Sequence, residues 1–292
     1  MTNALSQTGS PTLRSCVNDG EKILLKAKID TARLDAELLL CHALGQNRAF
    51  ILTHFNERVA EDVLKSYECL IKRREKREPV AYITGEKEFY SLNFKVTQDT
   101  LIPRPETETL VDTALKFYGS GTKINILDIG TGTGAIAITI AKYRPLWKIT
   151  ALDISDKAIE VARENSKTNG VDKQINFEVS DLYQSCVNKK FDIIVSNPPY
   201  IPDGDKNVAP EAKLYEPETA LYSGAKGLDA IERIINEGPN YLTKNGKLIF
   251  EVGDGQDQAI AGLIEKENRL RFENVVTDLK GLKRVIVATQ VN

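Results

Sequence analysis

The run Phe191-Asp192-Ile193-Ile194-Val195-Ser196 is apolar and β-branched, and it ends on Asn197-Pro198-Pro199-Tyr200. Such a run reads as a strand. Two consecutive prolines at its end make a rigid turn and bring carbonyl oxygens without N–H groups of their own. Asn197 adds a side-chain carbonyl and an amide, and Tyr200 an aromatic face on which a planar group can stack. A planar –NH2 group has its lone pair delocalised, so it attacks a methyl sulfonium only when held and polarised. The side-chain carbonyl of Asn197 and the backbone carbonyl of Pro198 can accept its two hydrogens and favour the charge that develops on nitrogen. A sulfonium is already a good leaving group, so this chemistry requires neither a covalent nucleophile nor a metal. Alignment of nitrogen, methyl and sulfur supplies the other large contribution.

A second constellation lies upstream. Ile126-Leu127-Asp128-Ile129-Gly130-Thr131-Gly132-Thr133-Gly134-Ala135-Ile136-Ala137 is an apolar strand, a glycine turn and the start of a helix. Glycine permits positive φ and close approach of a ligand to the backbone, and the first turn of a helix has free N–H groups. Asp153 ends the next expected strand, about 25 residues after Asp128, where a carboxylate can accept both hydrogens of a ribose diol. The glycines by themselves leave open a dinucleotide, since Gly132-x-Gly134-x-x-Ala137 also satisfies that fingerprint, or a turn with no ligand. Asp181-Leu182 follows the third strand and offers a third carboxylate, suited to an adenine amino group; this favours S-adenosylmethionine. Asp128 reads either as part of the cofactor site or as a strand-terminal residue bonded to nearby backbone.

The elements that must carry these residues follow from periodicity. Beyond Lys123, strands are expected at 124–129, 148–152, 175–179, 191–196, 246–252, 272–278 and 284–290. Helices are expected at 134–143, 156–168, 226–241 and 255–268. Alternation of this kind makes an α/β fold with a mostly parallel sheet covered on both faces. The short link Leu279–Lys283 forces the last two strands to be antiparallel, since a parallel crossover needs about a dozen residues. Residues 201–225 contain Pro202, Pro210, Pro217, Gly204 and Gly224 with little periodicity, which suits a lid or binding loop.

Residues 1–80 are expected to form a small helical bundle. One helix carries the stripe Leu34, Leu38, Cys41 and Leu44, with Thr31 or Asp30 at its start, and stops at Gly45. A longer one runs over 57–77 with Val59, Val63, Tyr67, Leu70 and Ile71 on one face, and Pro79 ends it. A first helix within 12–28 is interrupted by Gly20. The run Lys72–Glu78 has five basic and two acidic residues and reads as a solvated helix face, with a nucleic-acid contact as the alternative. Residues 81–100 are expected to form a linking β-hairpin around Ser91-Leu92-Asn93. Pro103 and Pro105 delay the next helix until Pro105 has passed.

Composition excludes several classes. The chain has 292 residues, 41% hydrophobic and 27% charged, which suits about two soluble domains. Lys plus Arg number 39 against 41 Asp plus Glu, for a net charge of -2. Affinity from overall positive charge is therefore excluded. The four cysteines have no CxxC spacing and there are two histidines, so no metal site and no disulfide is expected. Met1–Pro11 is polar and carries no signal-peptide pattern, and no apolar run is long enough to span a membrane. A cytoplasmic location is expected.

Together, Gly130–Gly134, Asp153, Asp181 and an antiparallel final strand pair resemble the class I S-adenosylmethionine-dependent methyltransferases. Asn197-Pro198-Pro199-Tyr200 resembles the signature of those that methylate exocyclic or amide nitrogens. Across nearly the whole chain the sequence is similar to the HemK/PrmC family, the N5-glutamine methyltransferases of peptide chain release factors. Asp35-Ala36-Glu37-Leu38-Leu39-Leu40 carries that resemblance in the helical part, and Gly85–Val96 in the hairpin. The most characteristic match is Leu101-Ile102-Pro103-Arg104-Pro105-Glu106-Thr107-Glu108. Glu216-Pro217-x-x-Ala220-Leu221, Glu251-Val252-Gly253 and Asp278-Leu279-x-Gly281-x-x-Arg284 complete it.

The resemblance implies a seven-stranded methyltransferase domain over 101–292 and a release-factor-binding helical domain over 1–80. It implies that Asp128, Gly130, Thr131, Gly132, Gly134, Asp153, Ile154, Asp181, Leu182 and Asn197 hold S-adenosylmethionine. Asn197, Pro198, Pro199 and Tyr200 would hold the glutamine of a Gly-Gly-Gln tripeptide, with Asn197, Pro198 and Tyr200 catalytic. Arg104, Glu106 and Thr107 would shape the cofactor pocket, unless Arg104 is a salt bridge tying the hairpin to the core. Phe94 would line the methyl or substrate side, unless it is hinge packing. The partner implied is a bacterial-type class I release factor, with no DNA and no membrane, and the chain is expected to be monomeric. Two other readings compete: an N6-adenine methyltransferase with a flipped base at Asn197–Tyr200, and a non-catalytic adaptor with a vestigial α/β domain. The 13 basic and 11 acidic residues in 1–85 make a weak field for DNA.

Overall fold

A computed structural model describes residues 10–291, so most of the polar Met1–Pro11 segment lies outside the described residues. The chain divides into two compact units, one of residues up to Gly85 plus Ala209–Tyr215, the other Glu86–Val208 plus Glu216 onward.

The first unit holds α1 (Leu13–Lys26), α2 (Ala32–Leu44), α3 (Arg48–Thr53), α4 (Glu61–Glu75) and α5 (Val80–Thr84), together with a short returning helix over Pro210–Tyr215. Thr12 caps α1 by accepting from the Ser15 N–H. Gly20 does not interrupt α1; it is where α4 passes closest. A Cβ at Gly20 would sit 2.1 Å from the Tyr67 hydroxyl, which donates to the Cys16 carbonyl at 3.1 Å. The longer helix starts at Glu61 rather than 57, and α3 was not anticipated.

In α2 the buried face differs from the expected stripe. Ala32, Ala36, Leu39, Leu40 and Cys41 are buried, whereas Leu34 is exposed. The face is rotated because it carries two buried carboxylates with arginine partners. Asp35 accepts from Arg74 Nε at 2.7 Å, and Glu37 from Arg48 at 2.6 Å. The basic run is likewise not a solvated face at its arginines. Arg73 pairs with Glu78, and Arg74 is buried between Asp35 and Glu211. Arg77 bonds Glu211 at 3.0 Å and the carbonyls of Ala27 and Lys28.

In the second unit, β1 (Glu86–Phe89) and β2 (Leu92–Lys95) form the expected hairpin. Its two turn residues, Tyr90 and Ser91, both have positive φ, as a two-residue turn matched to strand twist requires. Glu108 holds this turn by accepting from the Tyr90 N–H. Pro105–Thr107 form one 3-10 turn leading into α6 (Glu108–Lys116). The alternating part follows as β3 (Asn125–Ile129), α7 (Ala135–Tyr143), β4 (Lys148–Asp153), α8 (Asp156–Thr168), β5 (Ile175–Val179) and β6 (Phe191–Ser196). The returning helix, α9 (Pro210–Tyr215), is followed by α10 (Glu218–Leu221), α11 (Asp229–Glu237), β7 (Leu242–Glu251), α12 (Asp257–Lys266), β8 (Leu270–Thr277) and β9 (Lys283–Gln290).

The seven-stranded sheet has the order β5-β4-β3-β6-β7-β9-β8. β9 is antiparallel to both neighbours and the other pairings are parallel. One apolar cluster, with Trp147, Leu110 and Ile138, covers one face; a second, with Tyr183, Phe250 and Ile231, covers the other. Strand order reverses between β3 and β6, so a crevice opens at their carboxyl ends, where α/β sheets bind ligands. Among the described residues, no helix is long and apolar enough to cross a membrane, and no cluster of three or more potential metal ligands occurs. The four cysteines are free.

Candidate active site

A cavity of about 370 Å³ lies at that crevice, within the usual size of small-ligand sites. The turn between β3 and α7 forms one wall. Gly130 and Gly132 have φ of 70° and 54° and line the cavity. A Cβ at either would meet no protein atom within 4 Å, so its volume would come out of the space left for a ligand. Gly134 has a different role: a Cβ there would meet Ile138 Cδ1 at 2.7 Å and Ala162 Cβ at 3.2 Å. It allows α7 and α8 to pack and is not among the lining residues.

Asp153 stands at the end of β4 and fixes this turn. One of its oxygens accepts from the Gly132 N–H at 2.8 Å and the other from the Ser155 N–H at 3.0 Å. A carboxylate has about four acceptor positions, so lone pairs remain for a diol. Burial raises its pKa. Asp128 lies behind the wall, fully buried, accepting from the Thr131 hydroxyl at 2.6 Å. It does not line the cavity; its place is that of the strand-terminal residue that shapes the turn. Burial pushes its carboxyl up to about 7.

Asp181, Leu182 and Ile154 line the opposite part of the cavity. Both oxygens of Asp181 are gripped by Arg233 of α11, at 3.0 and 3.1 Å. Arg233 also lines the cavity and was not anticipated, since a charged residue on an amphipathic helix carries no local signal. The glycine wall, the Asp153 carboxylate with lone pairs to spare, and Ile154, Asp181 and Leu182 are groups of the kinds that suit the amino-acid, ribose and adenine parts of S-adenosylmethionine.

The Asn197–Tyr200 turn closes the cavity from β6. Asn197, Pro198 and Pro199 line it. Asn197 Nδ2 donates to Thr107 Oγ1 at 3.2 Å, and Thr107 Oγ1 donates to Glu251 Oε2 at 2.6 Å. Among the described residues, no protein donor is bonded to Asn197 Oδ1. Tyr200 is not among the lining residues. Its hydroxyl donates to Glu251 Oε1 at 3.3 Å, and its carbonyl accepts from Gln256. Glu251 ends β7 almost fully buried, and burial pushes its carboxyl up to about 7. Burial and the neighbouring Glu251 carboxylate hold the Tyr200 phenol well above its usual range.

The characteristic Leu101–Glu108 segment is split in its placement. Arg104 and Thr107 line the cavity. Arg104 is paired with buried Glu216 at 2.5 Å, and Glu216 also accepts from the Ile102 N–H. This salt bridge ties Arg104 to the segment ahead of α10 rather than to the hairpin. Glu106 is not a lining residue; it pairs with Lys280, which lowers its pKa. Phe94 does not reach the cavity either. It is completely buried in the hairpin core, edge-on to Phe89 at 6.1 Å, and Phe89 is the ring that lines the cavity. Alternation along β2 turns Phe94 into the core. The 201–225 stretch is not structureless: α9 and α10 lie in it, Ile201 bridges to Tyr222, and Pro217, Thr219, Ala220 and Tyr222 line the cavity.

Comparison with known proteins follows the same lines. Residues 15–85 match the family described as the PrmC N-terminal domain, and residues 107–216 the methyltransferase small domain. A release factor glutamine methyltransferase of Coxiella burnetii is 42% identical over 258 residues, 88% of this chain and 92% of that protein. One from Cereibacter sphaeroides is 39% identical over 266 residues, 91% of this chain and 94% of its own length. Among solved structures, a methyltransferase from Pyrococcus furiosus aligns with a TM-score of 0.53 at 19% identity, covering 77% of this chain and 98% of its own. That likeness supports the class I methyltransferase fold.

Proposed function

The chain belongs to the HemK/PrmC family of release factor glutamine methyltransferases, and on that footing we propose that it methylates N5 of the glutamine in the Gly-Gly-Gln motif of bacterial-type class I peptide chain release factors, using S-adenosylmethionine. When bound, the cofactor supplies an electrophilic methyl on a sulfonium. The chain's own residues do the rest. Asn197 Oδ1 and the Pro198 carbonyl accept the two hydrogens of the glutamine amide and favour positive charge on its nitrogen. Pro199 confines the amide plane, and Tyr200, outside the cavity, anchors the end of the turn through Glu251. Gly130, Thr131 and Gly132 receive the amino-acid end of the cofactor, Asp153 its ribose, and Ile154, Asp181 and Leu182 its adenine. Arg104 and Thr107 also line this cavity.

The observation that carries this reading is that Asn197–Pro199 and the Gly130–Gly132 turn line one cavity, from the ends of adjacent strands β6 and β3. The nucleic-acid alternative loses its local support, because Arg73, Arg74 and Arg77 are ion-paired within the helical unit. The test is the intact mass of a purified release factor after incubation with the protein and S-adenosylmethionine, with duplex DNA in a parallel reaction. A gain of about 14 Da, one methyl group in place of one hydrogen, mapped to the Gly-Gly-Gln glutamine supports the reading. Methyl transfer to adenine with none to protein overturns it.

A further inference from the structure

Glu251 does not line the cavity and has no place in the mechanism above. Its carboxylate has two hydroxyl donors, Thr107 at 2.6 Å and Tyr200 at 3.3 Å. Thr107 stands between Glu251 and Asn197. A threonine hydroxyl has one proton and two lone pairs. With its proton given to Glu251, Thr107 can present only a lone pair to Asn197. The asparagine, itself a lining residue, must then turn its –NH2 toward Thr107 and its carbonyl away from it. An amide is nearly symmetric in shape, so packing alone would not distinguish the two orientations.

We propose that Glu251 and Thr107 are positioning residues that set the polarity of Asn197, so that its side chain offers an acceptor rather than a donor to the substrate nitrogen. The inference rests on the reading that Asn197 holds the accepting amide. It assigns Thr107 to Asn197 in place of the cofactor. The same carboxylate fixes the Tyr200 ring through its hydroxyl, so one buried acceptor orients both ends of the Asn197–Tyr200 turn. Gln at position 251 would keep the volume but bring an –NH2 group. Facing Thr107, that group would release the threonine proton toward Asn197 and invert the amide.

The experiment compares Thr107→Val, Thr107→Ser and Glu251→Gln with the wild type. The readouts are kcat and KM on a purified release factor and calorimetric Kd for S-adenosylmethionine. The Asn197 side-chain amide signals are read by NMR, identified as the pair lost in Asn197→Ala. Thr107→Val and Glu251→Gln should lower kcat by about 30-fold, the scale of a lost charge-stabilising contact. Cofactor Kd should stay within about threefold, since the polarity of Asn197 acts on the glutamine amide and not on the cofactor. Thr107→Ser keeps the hydroxyl and should restore kcat to within about threefold of wild type, and the Asn197 amide signals should move in the other two variants. A wild-type kcat in Thr107→Val overturns the proposal, as does loss of cofactor binding there, or a Thr107→Ser variant as impaired as Thr107→Val. A wild type that leaves the release factor unmodified overturns the functional reading instead. The NMR arm still decides the proposal in that case: unmoved Asn197 signals in Thr107→Val overturn it, and moved signals support it.

Discussion

Arg233 holds Asp181 with two N–H bonds, at 3.0 and 3.1 Å, so the carboxylate proposed to meet the adenine is oriented by a helix more than 50 residues further on. The pair is about half-exposed and contributes little to stability, roughly 0–1 kcal/mol. Its effect should be on binding. Arg233→Met should leave Tm within about 2 °C and weaken S-adenosylmethionine by about three- to tenfold, because Asp181 is no longer held in place. Calorimetric titration alongside a thermal melt checks both; a melt that falls by many degrees with unchanged affinity would reverse the assignment.

Asn197 and Asp153 should separate chemistry from cofactor binding. Asn197→Ala removes one acceptor of the substrate amide, so methyl transfer should fall by about 10²-fold or more while cofactor Kd stays within about threefold. Asp153→Leu should instead weaken the cofactor and release the Gly132 N–H from its acceptor. Single-turnover transfer and calorimetry on both variants would show the two losses in opposite places.

Activity should fall on the acid side with a midpoint near the raised Glu251 value of about 7. Once protonated, the carboxyl cannot accept from both Thr107 and Tyr200. Arg284 and Glu106 also face this group, the former lowering and the latter raising its value. Asp128 is raised to about 7 as well, so the discriminating result is the profile of Glu251→Gln: a low rate that no longer has this limb, measured at saturating cofactor.

Stability should depend on pH in the opposite sense. Glu251 is raised in the folded state, so folded protein holds its proton more tightly than unfolded protein does. Its contribution is present below the unfolded value near 4.5 and is lost as pH rises through about 7. The difference is on the order of 3 kcal/mol for a fully buried carboxyl. Urea unfolding at pH 5 and pH 8 should show wild type losing more stability than Glu251→Gln over that interval.

In the helical unit, Asp35 and Arg74 are both buried and 2.7 Å apart. Removing either partner strands a buried charge, so Asp35→Asn or Arg74→Met should destabilise by about 3–5 kcal/mol. The double variant should lose less than the sum, measured as a double-variant cycle by denaturant unfolding. Additive losses would mean that the two side chains act independently.

Much of the second unit was legible in the residues. The seven strands and the helices α7, α8, α11 and α12 fall where periodicity put them, with shifts of a few residues at their ends. Gly130, Gly132 and Asn197–Pro199 line the cavity, whereas Gly134 and Tyr200 do not. These features are local: apolar runs, glycines at a strand end, and prolines that stop a strand. The short Leu279–Lys283 link likewise required antiparallel pairing of β8 and β9, because no crossover fits in it. Other features depended on residues distant in sequence. The buried face of α2 departs from its apolar stripe because Asp35 and Glu37 lie on it, paired with Arg74 and Arg48. Gly20, a helix breaker by residue type, sits within α1 because the Tyr67 hydroxyl occupies the place of its missing Cβ. Of the two readings open for Phe94, substrate side or hinge packing, the hairpin selects packing and brings Phe89 to the cavity instead.

The sequence by itself determined which chemical groups are present at each strand end and in what order the strands and helices run. Periodicity and turn chemistry act over a few residues and can be read without the fold. Only the tertiary structure decided how those groups are held: Asp181 by Arg233, Arg104 by Glu216, and Asn197 by Thr107 and Glu251. A buried polar side chain must find its partner wherever the packed chain brings one. That partner can lie 90 or 144 positions away, as for Thr107 with Asn197 and Glu251, a distance over which no local pattern carries information.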